Sequence, residues 1–419
     1  MSFEIAPLRA LRFDTDKLAA QGVSNTSALV SPPYDIIGTD EHADLLSRSD
    51  YNIVRLTLGE TPGEKEDYRA RGERILDWQS RGVLRRDETP AIYVYGCDYT
   101  VPGTDISARF RGVASLGRLH KFEEGVVLPH ERTFPRVVDD RFKLLDATRT
   151  HLETIFVLYE DAEKAIDAVL EEHSKGEPLL SVEGRPGEIH SLWAITDAAT
   201  VQHLQELFRA QKPIIADGHH RYTTAILFRD RKEESGEAVP GCAWQPMVFG
   251  NLVGDGLSIL STHRLIDTGG HASQALEVLR EKFDEVDANG DAWDFRVETK
   301  DAKVGLRVPE ALRAESSGVA ATDYAILHRR ILGEWLQPVC NGASAGGEIE
   351  AAYYKEGSGE CEALARGEGD LLFRMRPVAA SEFRSVVEGG EVFPHKTTFF
   401  YPKLWSGLML WTFEDPETA

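Results

Sequence analysis

The chain has 419 residues, 42% hydrophobic and 28% charged, which excludes a disordered or fibrous protein and leaves material for two or three domains. Its 47 Lys and Arg stand against 69 Asp and Glu, a net charge of −22, so the surface repels phosphodiester backbones and nucleic acid is not expected as a partner. No window approaches about 18 uninterrupted apolar residues and the opening segment has no apolar signal core, so a cytoplasmic protein without membrane contact is expected.

In chain order the elements are mixed α and β. A Pro-rich loop at Ser31-Pro32-Pro33-Tyr34-Asp35 precedes a strand-like run Asn52 to Leu58 and a charged helix from about Lys65 to Ser80. Two β runs, Ala91 to Tyr95 and Arg111 to Leu116, flank a polar loop and predict a hairpin with a long connection. A charged loop from His120 to Arg141 leads to a buried strand Thr154 to Tyr159. The following helix carries its apolar residues Ala162, Ala165, Ile166, Val169 and Leu170 on one 3.6-period face. The α/β alternation continues with strand Ile189 to Ile195, helix Ala198 to Ala210, strand Pro213 to Ala216 and helix His219 to Arg231. A surface loop Lys232 to Glu237 and strand Pro246 to Asn251 come next. Past Asp267-Thr268-Gly269-Gly270, helices are expected over Ala272 to Phe283 and Asp323 to Leu336, and strands near Leu371 to Met375 and Gly407 to Trp411. The fold class is therefore mixed α/β, organised as an N-terminal α+β region (1–120), a catalytic αβ region (121–267) and a C-terminal α+β domain (268–419).

Cys97, Cys242, Cys340 and Cys361 lie far apart with no C-x-x-C spacing, which predicts reduced, buried thiols and no structural zinc. A P-loop is absent, since no Gly-Lys dipeptide occurs. Gly342-Ala343-Ser344-Ala345-Gly346 matches G-x-S-x-G but lacks the strand before and helix after that a nucleophile elbow needs. His130-Glu131-Arg132-Thr133-Phe134 begins like a zincin helix, yet Phe134 stands where the second His belongs and Pro129 and Pro135 bracket it, so it is a loop.

The most informative stretch runs from Lys212 to Ala225, where an apolar strand enters Asp217-Gly218 and a helix opens with His219, His220, Arg221 and Thr223. Amide groups at a helix start, its positive dipole end, a glycine that lets backbone approach and an arginine for bidentate contact are the parts of an anion site. Asp217 could cap the helix, hold a His tautomer or take magnesium. Glu131 beside His130 on a Pro-fixed loop is a candidate general base. Further candidates for substrate or lid are Tyr34 and Asp35, the pair His263 and Arg264, and Lys396, Tyr401 and Lys403 in an aromatic stretch near the C-terminus.

Taken together, Ala6-Pro7, Arg9 and Arg12, Ser31 to Asp35, Leu128 to Thr133, Asp217 to Tyr222, Thr262 to Arg264 and Phe400 to Lys403 resemble the recurring blocks of the family named domain of unknown function 1015. That family is grouped with the ParB-like superfamily, which includes nucleotide-binding partition proteins and kinases of free serine. The resemblance implies a ParB/serine-kinase-like core with ATP or ADP and magnesium, and a small-molecule hydroxyl as acceptor. It implies Glu131 as the base, aided by His130 and Asp217, and a phosphate cradle of Gly218, His219, His220, Arg221 and Thr223 with Arg141. Magnesium would sit on Asp217, and a homodimer is an open expectation. One departure from the kinases is the span of 86 residues from Glu131 to Asp217, which holds additional αβ elements. Two alternatives stay open. A nucleotide-binding, CTPase-like regulator would need a helix-turn-helix and a basic face, and neither is found; a metal-dependent hydrolase would use His130, Asp217, His219 and His263.

Overall fold

The computed structural model describes residues 2–61, 68–340, 349–394 and 396–414. Gly342 to Gly346 lie outside the described residues. The chain forms two compact units: residues 1–100, 106–257 and 402–419 make the first, and residues 101–105 and 258–401 the second. The fold class is mixed α and β, as the element pattern predicts.

The first unit is built on an eight-stranded sheet. Its strands are β1 (Ile5–Ala6), β2 (Ile92–Thr100), β3 (Ser107–Arg118), β4 (Ile155–Tyr159), β5 (Leu180–Glu183), β6 (Glu188–Ile195), β7 (Ile214–Asp217) and β8 (Trp244–Asn251). The order is β7-β4-β8-β3-β2-β6-β5, with β1 on β3. Only β4 and β8 run parallel; every other pairing in the sheet is antiparallel. The sheet thus draws strands from both sides of residue 120.

Helices are α1 (Tyr68–Ser80), α2 (Pro135–Thr148), α3 (Ala165–His173), α4 (Ala198–Phe208) and α5 (His219–Ser235). Every residue of β4 is buried, as a strand covered on both faces must be. By alternation, Ile155, Val157 and Tyr159 enter a core with Ile166 and Leu170 of α3, Leu204 and Phe208 of α4 and Tyr222 of α5. A second core under α1 gathers Leu11, Phe13, Leu56, Ile75, Trp78, Leu144 and Leu410.

Four local expectations fail for identifiable reasons. Asn52 to Leu58 is a turn and a short helix over Val54–Thr57. Asn52 fixes the turn, donating to the Ala28 and Val30 carbonyls and accepting from the Val54 amide at 2.9 Å. The charged tract after His120 contains α2, which starts on a proline at its first turn and buries Val138, Leu144 and Leu145. α5 continues through the expected loop at Lys232 to Ser235 and stops at Gly236, whose φ is +72°. Of the expected strand Gly407 to Trp411 only Trp411 is in a strand, the two-residue Trp411–Thr412 paired with Thr150–His151. The cysteines are all unpaired, but they are not uniformly buried: Cys97 and Cys340 are, Cys242 is half-buried and Cys361 is exposed.

The second unit carries a six-stranded antiparallel sheet of β9 (Thr262–Ile266), β10 (Asp284–Val286), β11 (Phe295–Glu298), β12 (Lys303–Arg307), β13 (Ala351–Lys355) and β14 (Leu371–Met375), ordered β10-β12-β11-β14-β9-β13. Helix α6 (Ala272–Lys282) buries Ala275, Leu276 and Leu279, and the expected helix from Asp323 begins as α-helix before continuing as a π-helix over Leu327–Trp335. Among the described residues no helix is long and apolar enough to cross a membrane.

Candidate active site

β7 is an edge strand, and the segment carrying the His-Glu pair runs beside its outer side. The Leu128 amide donates to the Pro213 carbonyl and the Ile215 amide to the Leu128 carbonyl, both at 2.9 Å. An irregularity between Ile215 and Asp217 breaks the β7–β4 register, as a β-bulge does when it re-aims a side chain at a strand end. Gly218 then takes φ +99°, a left-handed conformation open to glycine, and α5 begins. A Cβ there would lie 3.2 Å from the Arg221 guanidinium.

The two histidines at the start of α5 hold the His-Glu loop in place. His219 Nε2 accepts the His130 amide at 3.1 Å, and His220 Nε2 accepts the Phe134 amide at 3.0 Å. The Phe134 and His220 rings also stack, 5.8 Å between centroids. Both rings therefore spend Nε2 on loop backbone, which narrows the phosphate-binding role expected of them to what Nδ1 can offer. His130 donates Nδ1–H to the Ile215 carbonyl at 2.5 Å, which leaves Nε2 as an acceptor 3.9 Å from Glu131 Oε1. Burial pushes the His130 pKa down to about 4 and that of His219 well below the usual histidine range, so both rings are neutral near pH 7.

Asp217 sits between two cations. Lys403 Nζ donates to Oδ2 at 2.7 Å, and Arg221 Nη2 lies 3.5 Å from Oδ1. Burial opposes its ionisation, yet Lys403 and Arg221 hold the carboxyl well below the usual range. With both oxygens facing cations, Asp217 organises positive charge. Arg221 is fixed from behind by the Thr154 carbonyl at 2.6 Å. Tyr34 and Asp35 belong to the same neighbourhood. Asp35 is exposed, but desolvation by surrounding atoms and the charge of Asp217 push its carboxyl up to about 6. Tyr34 lies under the Arg141 guanidinium, 4.2 Å from ring centroid to Cζ. Arg141 itself is bonded to Asp140 at 2.6 Å and the Thr57 carbonyl at 3.1 Å, which braces the site. Thr223 Oγ1 is buried without a hydrogen-bond partner among the described residues.

Sequence reasoning missed Glu153. This buried carboxylate accepts the Tyr34 amide at 3.1 Å and the Ser406 hydroxyl at 2.8 Å, tying the Pro-rich loop and the C-terminal return to the start of β4. With Arg141, Arg221, His151 and Gln245 it lines a cavity of about 50 Å³, room for ordered water. The available signal was a lone acid immediately before a fully apolar strand.

His263, Arg264, Lys396 and Tyr401 belong to the second unit. His263 and Arg264 both lie within β9 and are buried. Arg264 is sandwiched by Tyr324 and Tyr353, at 4.8 and 5.0 Å, donates to the Lys396 carbonyl at 2.8 Å, and is pushed down to about 10 by burial. Lys396 has φ +55° and places Nζ 4.7 Å from the Tyr353 ring. Tyr401 is buried in a strand paired with Ser258–Leu260. His263, Glu356 and Glu360 bring potential ligand atoms within 4.8 Å of one another. The Met375 amide, however, donates to His263 Nδ1 at 3.2 Å, so the neutral ring carries its proton on Nε2, facing Glu356 Oε2 at 3.0 Å. A metal-bound histidine has the reverse arrangement. The donor set expected for a hydrolase fails similarly, because His219 Nε2 and both Asp217 oxygens are already engaged.

A family model described as "Protein of unknown function (DUF1015)" matches residues 5–330. No curated protein matches the chain. Among solved structures, the chain is similar to a free serine kinase in complex with ADP at 13% identity, covering 77% of this chain and 98% of that one, with a TM-score of 0.37. It is also similar to SbnI with C-terminal truncation from Staphylococcus aureus (14% identity, 70% and 85% covered, TM-score 0.36). A conserved hypothetical protein from Pyrococcus furiosus matches at 14% identity, with 66% and 87% covered and a TM-score of 0.31. At TM-scores this low the likenesses carry no argument about chemistry.

Proposed function

This chain belongs to the family described as protein of unknown function (DUF1015), and from that premise we propose that its first unit transfers a phosphoryl group from ATP or ADP to the hydroxyl of a small molecule such as free serine. The observation that carries the reading is the meeting of Lys403 and Arg221 on Asp217, at the opening of the 17-residue helix α5, with the Glu131 loop bonded to that same helix start. Phosphoryl transfer asks the protein mainly for positioning and charge stabilisation, and each protein-borne part has a candidate here.

In this reading the first amides of α5, with Arg221 and Lys403, receive the phosphates. Asp217 holds the two cations in place. Glu131 takes the proton of the acceptor hydroxyl, and His130 Nε2, an acceptor near Glu131, receives a hydrogen bond from the protonated carboxyl. The donor chemistry fits magnesium at Asp35, a hard oxygen ligand, rather than at Asp217. The Asp35 carboxyl, raised to about 6 by desolvation and then by the charge of Asp217, is one whose ionised form a bound cation would favour. Magnesium, when bound, would neutralise phosphate charge in a neighbourhood that already contains Asp35, Glu131, Glu153 and Asp217.

The test is incubation of purified protein with ATP or ADP, magnesium and a pool of hydroxy amino acids, followed by mass spectrometry. A phosphorylated product that Glu131→Gln abolishes supports the reading. Absence of product with every nucleotide and acceptor overturns it.

A further inference from the structure

We propose that the cleft at the far end of β4, away from Thr154 and Arg221, is a second ligand site that takes a small zwitterion of the free amino-acid class. β4 and β8, the parallel pair, end at Tyr159 and Asn251. Ligands of α/β sheets commonly bind outside the carboxyl ends of parallel strands. A cleft of about 350 Å³ opens there, lined among others by Arg109, Arg111, Lys164, Asp167, Glu171 and Asn251. That volume is near the lower end of the about 300–1,000 Å³ typical of ligand pockets, suited to a small metabolite and tight for a nucleotide.

Two walls of opposite sign define the cleft. Arg109 and Arg111, two residues apart on β3, share one face of the strand. Asp98 orients both, 2.7 Å from Arg111 Nη1 and 3.6 Å from Arg109 Nε. Arg111 also lies 5.1 Å from the Trp193 ring, and its Nε is buried without a partner among the described residues. The other wall is α3, which presents Asp167 and Glu171 one turn apart with the small Ala168 between them. Asp167 is fixed by the Tyr159 hydroxyl at 3.1 Å and Asn251 Nδ2 at 2.9 Å. The loop after β8 is drawn onto β3 at Gly256, where a Cβ would stand 2.1 Å from the Arg109 carbonyl oxygen.

The charges decide the ligand class. Arg109, Arg111 and Lys164 face Asp167, Glu171 and Asp255, and Asp98 is already shared by the arginines. With no surplus of positive charge, a phosphate is disfavoured. A carboxylate on the arginine wall and an ammonium on the α3 wall satisfy both. The inference does not rest on the phosphotransferase reading.

Isothermal titration of the full chain with a panel of free amino acids tests it, with inorganic phosphate and ATP as separate arms. Saturable binding of at least one amino acid is expected. Ala168→Trp, on the exposed face of α3, should weaken it at least about tenfold by filling the cleft, and Arg111→Met should weaken it by removing the carboxylate partner. The proposal is overturned if no amino acid binds saturably, if Ala168→Trp leaves binding unchanged, or if phosphate binds and Ala168→Trp abolishes that binding.

Discussion

Lys403 Nζ lies 2.7 Å from Asp217 Oδ2 across 186 residues of sequence, so the C-terminal return of the chain completes the charge balance at the start of α5. Both side chains are largely buried, at 13% and 16% exposure, and a buried pair is costly to break from one side. Lys403→Met should destabilise the first unit by about 3 kcal/mol, the lower end for such pairs because Arg221 still faces Asp217. Urea titration checks this, and the double variant Lys403→Met/Asp217→Asn should regain part of the loss. Equal midpoints for wild type and Lys403→Met would refute it.

His219 and His220 act as staples for the loop that carries Glu131. Replacing His220 with Phe keeps the stacked ring against Phe134 and removes the acceptor. Hydrogen exchange at the Phe134 amide should then accelerate, with the core strand β4 unchanged. Unaltered exchange at Phe134 would show that the loop is held by other contacts.

Buried neutral histidines make the fold acid-sensitive. Burial lowers His130 to about 4 and His151 to about 3, whereas the unfolded chain takes up protons below about 6.5. The unfolded state binds more protons throughout that window, so stability falls as pH falls from about 6.5 toward 4, by about 2 kcal/mol per ring at pH 5. Asp35, raised to about 6, acts in the opposite sense between pH 3.8 and 6, but it is exposed and contributes less. His151 stacks on Trp411, and its Nε2 has no partner among the described residues, so His151→Phe is tolerable. That variant should lose less Tm than wild type between pH 7 and pH 5; identical losses would contradict the assignment.

Gly218 at φ +99° offers a backbone test. Gly218→Ala should cost about 1–3 kcal/mol of stability and crowd the Arg221 guanidinium, weakening nucleotide binding beyond the stability loss. Retained stability together with retained affinity would mean that the turn can relax.

The β3, β4, β6, β7 and β8 strands and the junction at Asp217 were legible because apolar runs bounded by turn residues mark buried strands, and Asp-Gly followed by a basic helix start is locally readable. The Asn52 turn was not, since a run buried on all sides looks alike as strand or helix. The α2 helix was hidden by its charges, with only Pro135 and the spacing of Val138, Leu144 and Leu145 to reveal it. The partners of Glu153 and the Lys403–Asp217 pair are long-range contacts that no local pattern encodes. The bracing contacts of Arg141, His219 and His220 were not legible for the same reason: their partners, Asp140 apart, come from distant backbone.

Nucleotide phosphates are expected to bind at the start of α5. Equilibrium binding of ADP with magnesium, measured for wild type, Arg221→Met and Glu131→Gln, tests this directly. Wild type is expected to bind saturably, Arg221→Met to lose at least about tenfold, and Glu131→Gln, whose part is in proton transfer, to keep near-wild-type affinity. Undetectable binding by wild type, or affinity that Arg221→Met leaves unchanged in a folded protein, would contradict it.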